Sequence, residues 1–292
     1  MFETAVDAIV SGDAQTLAAL LRAHPELVRE RSTREHAATL LHYVSANGVE
    51  DVRQKTPANI VEIAALLLDA GADANAESNA YGGRWTTLGL TATSGHPEKA
   101  GVQIALMELL LARGAAIDGP DGGSTVNACL RNGHRQAAEF LAAHGARLDL
   151  EGAAGVGRLD LVERLFDSAP ADQVQNGLSW ACEFGRTPVV EFLLGKCVDV
   201  NAGTALHWAA FAGHADIVRL LLTRGAHVGT KDERFASTPL GWAVYAFRES
   251  PRPELYEVVA LLVQAGADPE DSWYAGSDPR MLAALRGSRM SV

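Results

Sequence analysis

Apolar residues follow a helical period in the segment ADIVRLLLTRGA, residues 215–226. On the predicted helix they crowd one face: Ile217, Val218, Leu220, Leu221 and Leu222. Gly225 then supplies a residue that tolerates the left-handed conformation in which many helices end. The pattern therefore predicts a short amphipathic helix with a defined end.

A second short helix is predicted just before it, in GTALHWAAFAG, residues 203–213. The small side chains of Ala209 and Ala210 allow a neighbouring helix to approach closely, and Gly213 breaks the helix. Neither helix is long enough to be stable alone in water. Each pair must bury its apolar face against the next pair, which predicts a stack of helix pairs.

The ending of the second helix recurs along the chain at irregular spacing. The equivalent positions are His24, Gly71, Gly114, Gly145, Ala169, Cys197, Gly225 and Gly266. Eight such positions predict about eight helix pairs, numbered here as repeats one to eight.

The best-preserved repeat carries the pattern T-x-L-H-x-A-A-x-x-G-H-x-x-I-V-x-x-L-L-x-x-G-A from Thr204 to Ala226, and it resembles the ankyrin repeat closely. The resemblance extends in weaker form from about Ala5 to about Asp268. It implies an all-α ankyrin-repeat solenoid with short hairpin-like connecting loops, forming a single domain over residues 1–292. Residues 1–35 are expected to be an N-terminal capping unit, 36–268 the repeats, and 269–292 a C-terminal cap or tail.

Three repeats are longer than the others. Counting from the first helix to the second predicts about 11, 7 and 7 additional residues in repeats two, three and eight, all at the turn between the two helices. The first two runs, VEDVRQKTPAN and HPEKAGVQ, are expected to lie side by side at an edge where solenoids often bind partners. They contribute Arg53, Lys55 and His96 as candidate binding residues. The alternative is that the insertions have no function and persist because closing a longer loop costs little additional entropy.

The resemblance also implies which residues face the inner groove of the stack. In the first half of the chain they form a polar set: Tyr43, Asn47, Thr93, Ser94, Arg131 and Asn132. In the second half they form an aromatic set: Trp180, Phe184, Trp208, Phe211, Trp242 and Tyr245. Aromatic and Arg side chains are common binding anchors, although these aromatics could instead fill gaps between the first helices.

Composition and charge narrow the classes of partner. The net charge of −11 disfavours phosphate backbones and anionic lipid surfaces, so neither nucleic acid nor membrane is expected as a partner. No apolar run is long enough to span a bilayer, and the acidic start does not resemble a signal peptide, which predicts a cytoplasmic protein. The three cysteines form no metal-binding or disulfide pattern, so no metal or cofactor is expected.

No established catalytic motif occurs in the chain. His207 occupies a position where the family uses histidine to tie loops together, whereas His96 has no such explanation. Five residues are candidates for acid–base catalysis only because their side chains can transfer protons: His42, Tyr43, Lys55, His96 and Glu183. Recognition of a protein or peptide partner is therefore the predicted function. A small-molecule or enzymatic pocket between the insertions and the groove is the alternative, and an enclosed cavity with titratable groups would favour it.

Overall fold

The computed structural model describes residues 1–274 and 276–287 and is predominantly helical. The chain divides into two compact halves, Met1–Arg147 and Leu148–Val292. They are called here the N-terminal and C-terminal halves. Within the described residues, no helix combines the length and apolarity that crossing a membrane requires.

The N-terminal half contains four helix pairs and one small hairpin. Its α-helices are α1 (Phe2–Ser11), α2 (Ala14–Ala23), α3 (Ile60–Asp69), α4 (Thr87–Ala92), α5 (Gly95–Lys99), α6 (Gln103–Ala112), α7 (Thr125–Arg131) and α8 (Arg135–Ala143). Short 3₁₀-helices cover Pro25–Arg29, Leu40–Ser45, Asp51–Arg53, Ala80–Gly82 and Pro120–Gly122. Strands β1 (Glu77–Ser78) and β2 (Trp85–Thr86) pair antiparallel, with Glu77 opposite Thr86.

The C-terminal half is a more regular stack. Its α-helices are α9 (Leu150–Val156), α10 (Leu159–Leu165), α11 (Ala171–Glu183), α12 (Thr187–Gly195), α13 (Ala205–Ala212), α14 (Ala215–Thr223), α15 (Pro239–Glu249), α16 (Glu254–Gln264) and α17 (Pro279–Leu285). Two 3₁₀-helices cover Phe166–Ser168 and Pro269–Ser272. The first helices α9, α11, α13 and α15 pack against one another in that order, and the second helices α10, α12, α14 and α16 form a row beside them. Helix α17 packs against α16 at the end of the row.

The core of this half follows the predicted pattern. Ala209 and Ala210 are fully buried, so α13 packs closely between its neighbours. Ile217, Val218 and Leu221 of α14 are buried in the same core, and Gly213 adopts a φ of +86° immediately after α13. The predictions of small residues in the first helix and an apolar stripe on the second are confirmed here.

Serine, threonine and aspartate begin several of the first helices. Thr86, Ser124, Asp149 and Thr238 each accept a hydrogen bond from the backbone N–H three residues later. These bonds satisfy N–H groups that have no partner inside the helix. The starts of α4, α7, α9 and α15 are thereby fixed relative to the loops before them.

The insertion in repeat two lies where it is expected, between the 3₁₀-helix Leu40–Ser45 and α3. It packs against the preceding repeat. The Arg53 guanidinium forms ion pairs with Glu3 and Asp7 of α1 at 2.5 and 3.1 Å, and Asn59 donates a hydrogen bond to the Gly12 carbonyl at 2.9 Å. Arg53 is therefore engaged within the fold.

The insertion in repeat three contains the short helix α5 and contacts the following repeat. Glu98 pairs with His134 through Oε2 and Nδ1 at 2.8 Å. Gln103 donates to the carbonyls of Thr91 and Ser94 at 3.0 and 3.1 Å, which closes the end of α4. The polar contacts of the two insertions thus run in opposite directions along the chain.

The additional residues of repeat eight are distributed differently from the prediction. Helices α15 and α16 each contain 11 residues, whereas α13 and α14 contain 8 and 9, and only a short turn at 250–253 separates α15 from α16. The predicted turn insertion is therefore mostly absorbed into longer helices. Favourable helix formers continue through Arg248 and Glu249, and Pro251 and Pro253 delay the next helix until Glu254.

The contacts of Arg53 predict that the first insertion stabilises α1. Replacing Arg53 with Met should remove the ion pairs to Glu3 and Asp7 and destabilise this end of the fold by about 1 kcal/mol, because the guanidinium is largely shielded from water. Amide hydrogen exchange of α1 would measure the loss. The matched control is Lys55→Met, at an exposed position in the same loop. Equal protection of α1 in both variants would contradict a bracing role.

Candidate binding surface

Aromatic side chains of α13 and α15 form a contiguous cluster in the C-terminal half. The ring centroids of Trp208 and Trp242 are 4.9 Å apart with perpendicular planes. Phe211 lies 5.9 Å from Trp208 and 6.1 Å from Trp242, and Phe235 packs 6.1 Å from Trp242. We call Trp208, Phe211, Phe235 and Trp242 the aromatic cluster. Edge-to-face packing of this kind holds rings in fixed orientations.

The loop before α15 is organised by one carboxylate, that of Asp232. It accepts hydrogen bonds from the backbone N–H groups of Arg234, Phe235 and Ser237 at 2.7 to 3.0 Å, and from Trp242 Nε1 at 3.0 Å. Burial alone would raise the pKa of Asp232, but these donors together lower it. The carboxylate therefore stays ionised and fixes Trp242 and the loop to each other. Phe235 remains 63% exposed at the loop tip.

His207 supports the same loop from below. Its Nε2 lies 3.1 Å from both the Thr230 and Ser237 carbonyls, where it donates, and its ring packs 5.4 Å from Trp242. Burial lowers the pKa of His207, which favours the neutral imidazole. The predicted structural role of this histidine, which is to tie loops together, is confirmed by these bonds.

A cavity of about 540 Å³ opens beside the aromatic cluster. Its walls come from α11, from the loop at 201–204, from the loop at 230–235, and from Trp208 and Trp242. Gln175 and Asn176 on the α11 wall donate to the Asp199 carbonyl and to Glu151 Oε1. With His207 and Asp232 also committed to internal bonds, the cavity is suited to holding a side chain more than to moving protons.

Glu183 is the one acid–base candidate in this half of the chain. It is the last residue of α11 and half-buried, and burial raises the pKa of its carboxyl to about 7. It forms no ion pair with any residue that the structure describes. The ring of His214 bonds to its backbone carbonyl at 3.0 Å, and Arg186 donates to the Gly155 carbonyl.

The aromatic residues predicted to face the groove differ in how exposed they are to solvent. Trp180 on α11 is half-buried, as are Trp208, Phe211 and Trp242. Tyr245 on α15 is 55% exposed, whereas Phe184 is only 6% exposed and lies in the interior. Phe184 is therefore unavailable as a surface anchor, and the expectation that it faces an open groove is wrong.

In the N-terminal half, His42 and Tyr43 are fully buried. His42 Nδ1 accepts from the backbone N–H and the hydroxyl of Thr39 at 3.1 and 2.8 Å, and its Nε2 donates to the Trp85 carbonyl at 3.3 Å. Burial lowers the pKa of His42 to about 4. The expectation that Tyr43 faces a partner is wrong in this structure, because its ring packs inward against Phe2 and His36.

Three further polar candidates are occupied within the fold. Asn47 accepts from the Tyr81 hydroxyl at 2.5 Å and donates to the Leu90 carbonyl at 3.0 Å. Thr93 donates to the Gly89 carbonyl, and Ser94 is 2% exposed. These groups satisfy backbone atoms where the chain turns, so they are less available to a ligand than their residue type suggests.

The remaining candidates are at the surface of the N-terminal half: Lys55, His96, Arg131 and Asn132 are exposed. Asn132 donates to the Ala128 carbonyl at 2.8 Å. Among the residues that the structure describes, no three His, Cys, Asp or Glu side chains are grouped as a metal site. Sequence reasoning missed Asp232 and Phe235. An aspartate that caps a turn is recognisable from its type and spacing, but its bond to Trp242 depends on folding.

Comparison with known proteins places the regular part of the stack in a family. The family model for ankyrin repeats, in three copies, matches residues 150–232, which span α9 to α14. Residues 150–232 therefore contain ankyrin repeats. The ankyrin repeat domain of human ASB11 is a similar solved structure, with 20% sequence identity, 99% coverage of both chains and a TM-score of 0.46. No curated protein matched the sequence.

The conformation of the loop before α15 should depend on Asp232. Its replacement by Ala removes four accepted hydrogen bonds and leaves the Trp242 indole N–H without its partner, at a cost of about 2 kcal/mol. Because the pKa of Asp232 is lowered, the stability that its charge contributes is present above its ordinary pKa and is lost as the pH falls below it. Thermal unfolding and exchange of the indole N–H would measure this. The exposed neighbour Glu233, changed to Ala, should have little effect; equal losses would contradict the assignment.

Glu183 predicts an unusual dependence of stability on pH. Its folded pKa of about 7 exceeds the ordinary value of 4.5, so the folded state holds more protons between these values and gains stability as the pH falls through 7. Solvent access reduces the effect to roughly 1–2 kcal/mol. Denaturant unfolding at several pH values would show a shallower profile for Glu183→Gln. An identical profile in that variant would contradict the raised pKa.

Proposed function

We propose that the protein is a recognition scaffold that binds a protein partner, or an extended peptide segment of one, through the aromatic cluster and the neighbouring Tyr245. Ankyrin repeats generally serve as protein interaction scaffolds, and stacked repeats offer extended surfaces for this purpose. The observation that carries the proposal is the aromatic cluster itself. Large rings on consecutive first helices remain partly open to solvent although the core beneath them is closed.

Rigid positioning supports binding through these rings. Asp232 and His207 fix the loop that carries Phe235, and perpendicular packing fixes Trp208 against Trp242. Side chains that are already ordered lose little entropy when a partner docks, so their buried area contributes more of its value to affinity. Aromatic anchors that meet this condition commonly dominate binding energy.

The small-molecule alternative has less support. A volume of 540 Å³ is within the usual range for ligand pockets. However, His207 and Asp232, the titratable groups of this cavity with shifted pKa values, are used to hold the loop. Because Lys55 and His96 are exposed, the insertions of repeats two and three are a candidate second contact with the partner. The single domain over 1–292, the cytoplasmic location and the lack of a cofactor stay predictions.

A photo-crosslinking experiment would test the proposal. A benzophenone amino acid at Tyr245, which is 55% exposed, should crosslink a reproducible protein partner in cells. Adding Trp208→Ala should reduce that crosslinking at least about fivefold, since loss of an anchor ring costs about 1 kcal/mol or more. The control places the crosslinker at Glu191, an exposed residue of α12. Equal crosslinking from Glu191, or no effect of Trp208→Ala, would refute binding through the cluster.

A further inference from the structure

The carboxyl of Glu183 is in an unfavourable position for the isolated protein. It is half-buried, has no ion-pair partner among the described residues, and lies at the C-terminal end of α11. The backbone carbonyls at a helix C-terminus carry partial negative charge, which repels a carboxylate and attracts a cation. Both burial and the helix end therefore favour a positive group beside Glu183.

Aromatic residues occupy the positions next to Glu183 in the repeat register. Trp180 precedes Glu183 by three residues, and such a spacing places two side chains on one face of a helix. In the next first helix, Trp208 and Phe211 have the same spacing and their centroids are 5.9 Å apart. Because α11 packs against α13, the repeat register sets Glu183 in the row that continues through Phe211. A carboxyl thus interrupts an otherwise aromatic row.

We propose that Glu183, with the rings of Trp180 and Trp208, receives an arginine or lysine side chain of the protein partner. This inference rests on the proposed recognition function and specifies the chemistry of its anchor. The charged head of such a side chain pairs with the carboxylate and with the negative end of α11. Its aliphatic stem lies along the indole rings, which also attract the cation.

The net negative charge of the chain also favours a basic side chain as the anchor. A protein of net charge −11 attracts basic segments and repels acidic ones over distances of about a Debye length. An apolar anchor would leave Glu183 still buried and unpaired, which costs free energy in the complex. A basic side chain removes that cost and uses the aromatic surface at the same time.

Immobilised pools of short degenerate peptides would test the inference. The pools differ only in a fixed central residue, which is Arg, Lys, Gln or Leu, and binding is measured above the raised pKa of Glu183, at about pH 8. We expect the Arg and Lys pools to retain roughly five- to tenfold more protein than the Gln and Leu pools. Glu183→Gln should abolish this preference. The matched control, Glu191→Gln, makes the same charge change on the exposed face of α12 and should keep it.

The outcomes separate the two proposals. Retention without preference for Arg or Lys, or a preference unchanged in Glu183→Gln, would overturn the basic anchor and leave recognition by the cluster intact. Retention that is no greater for the native protein than for the Trp208→Ala variant would overturn recognition by the cluster, and the anchor with it. Circular dichroism of each variant confirms that any loss occurs in a folded protein.

Discussion

The structure depends on the burial of one short helix pair against the next. Helices α13 and α14 contain 8 and 9 residues, too few to be stable alone in water. Packing along both helix rows buries Ala209, Ala210 and Leu221 and supplies the missing stabilisation. This constraint leaves the outward positions of each first helix and its preceding loop free to vary. Trp208 and Trp242, 34 positions apart in sequence, become neighbours because the stack places equivalent positions side by side.

Turns between the helices impose a second demand, which is to satisfy backbone groups that no helix uses. His207, Asp232, His42 and Gln103 all meet this demand with hydrogen bonds to the backbone. Many polar residues in the turns are therefore occupied before any ligand arrives. Counting polar residues in the sequence therefore overestimates the number of side chains that are free to bind a ligand or to take part in catalysis.

The periodic part of the fold was predictable from the sequence, and the local departures from it were not. Apolar spacing and Gly213 predicted α13 and α14, because these features report directly on the buried face and the helix end. The same signals could not distinguish the 3₁₀-helix Leu40–Ser45 from an α-helix, or turn residues from helix extension in α15 and α16. Register also assigned Tyr43 and Phe184 to the groove, although both are buried. The position of a residue within its repeat predicts the direction of its side chain. Whether that side chain is buried depends also on the residues that pack on it from other parts of the fold.

Two features of the C-terminal half are costly for folding alone, and they occur together. Partly exposed rings at Trp208 and Tyr245 leave apolar area in water, and Glu183 places a carboxyl in a poorly solvated position at a helix end. Local choices that oppose stability are expected mainly at functional sites, where binding offsets the cost. The Asp232 contacts show that this half uses other polar groups to fix the same surface. A rigid surface with partly exposed rings and a half-buried carboxyl is the arrangement that the proposed recognition of a basic partner segment requires.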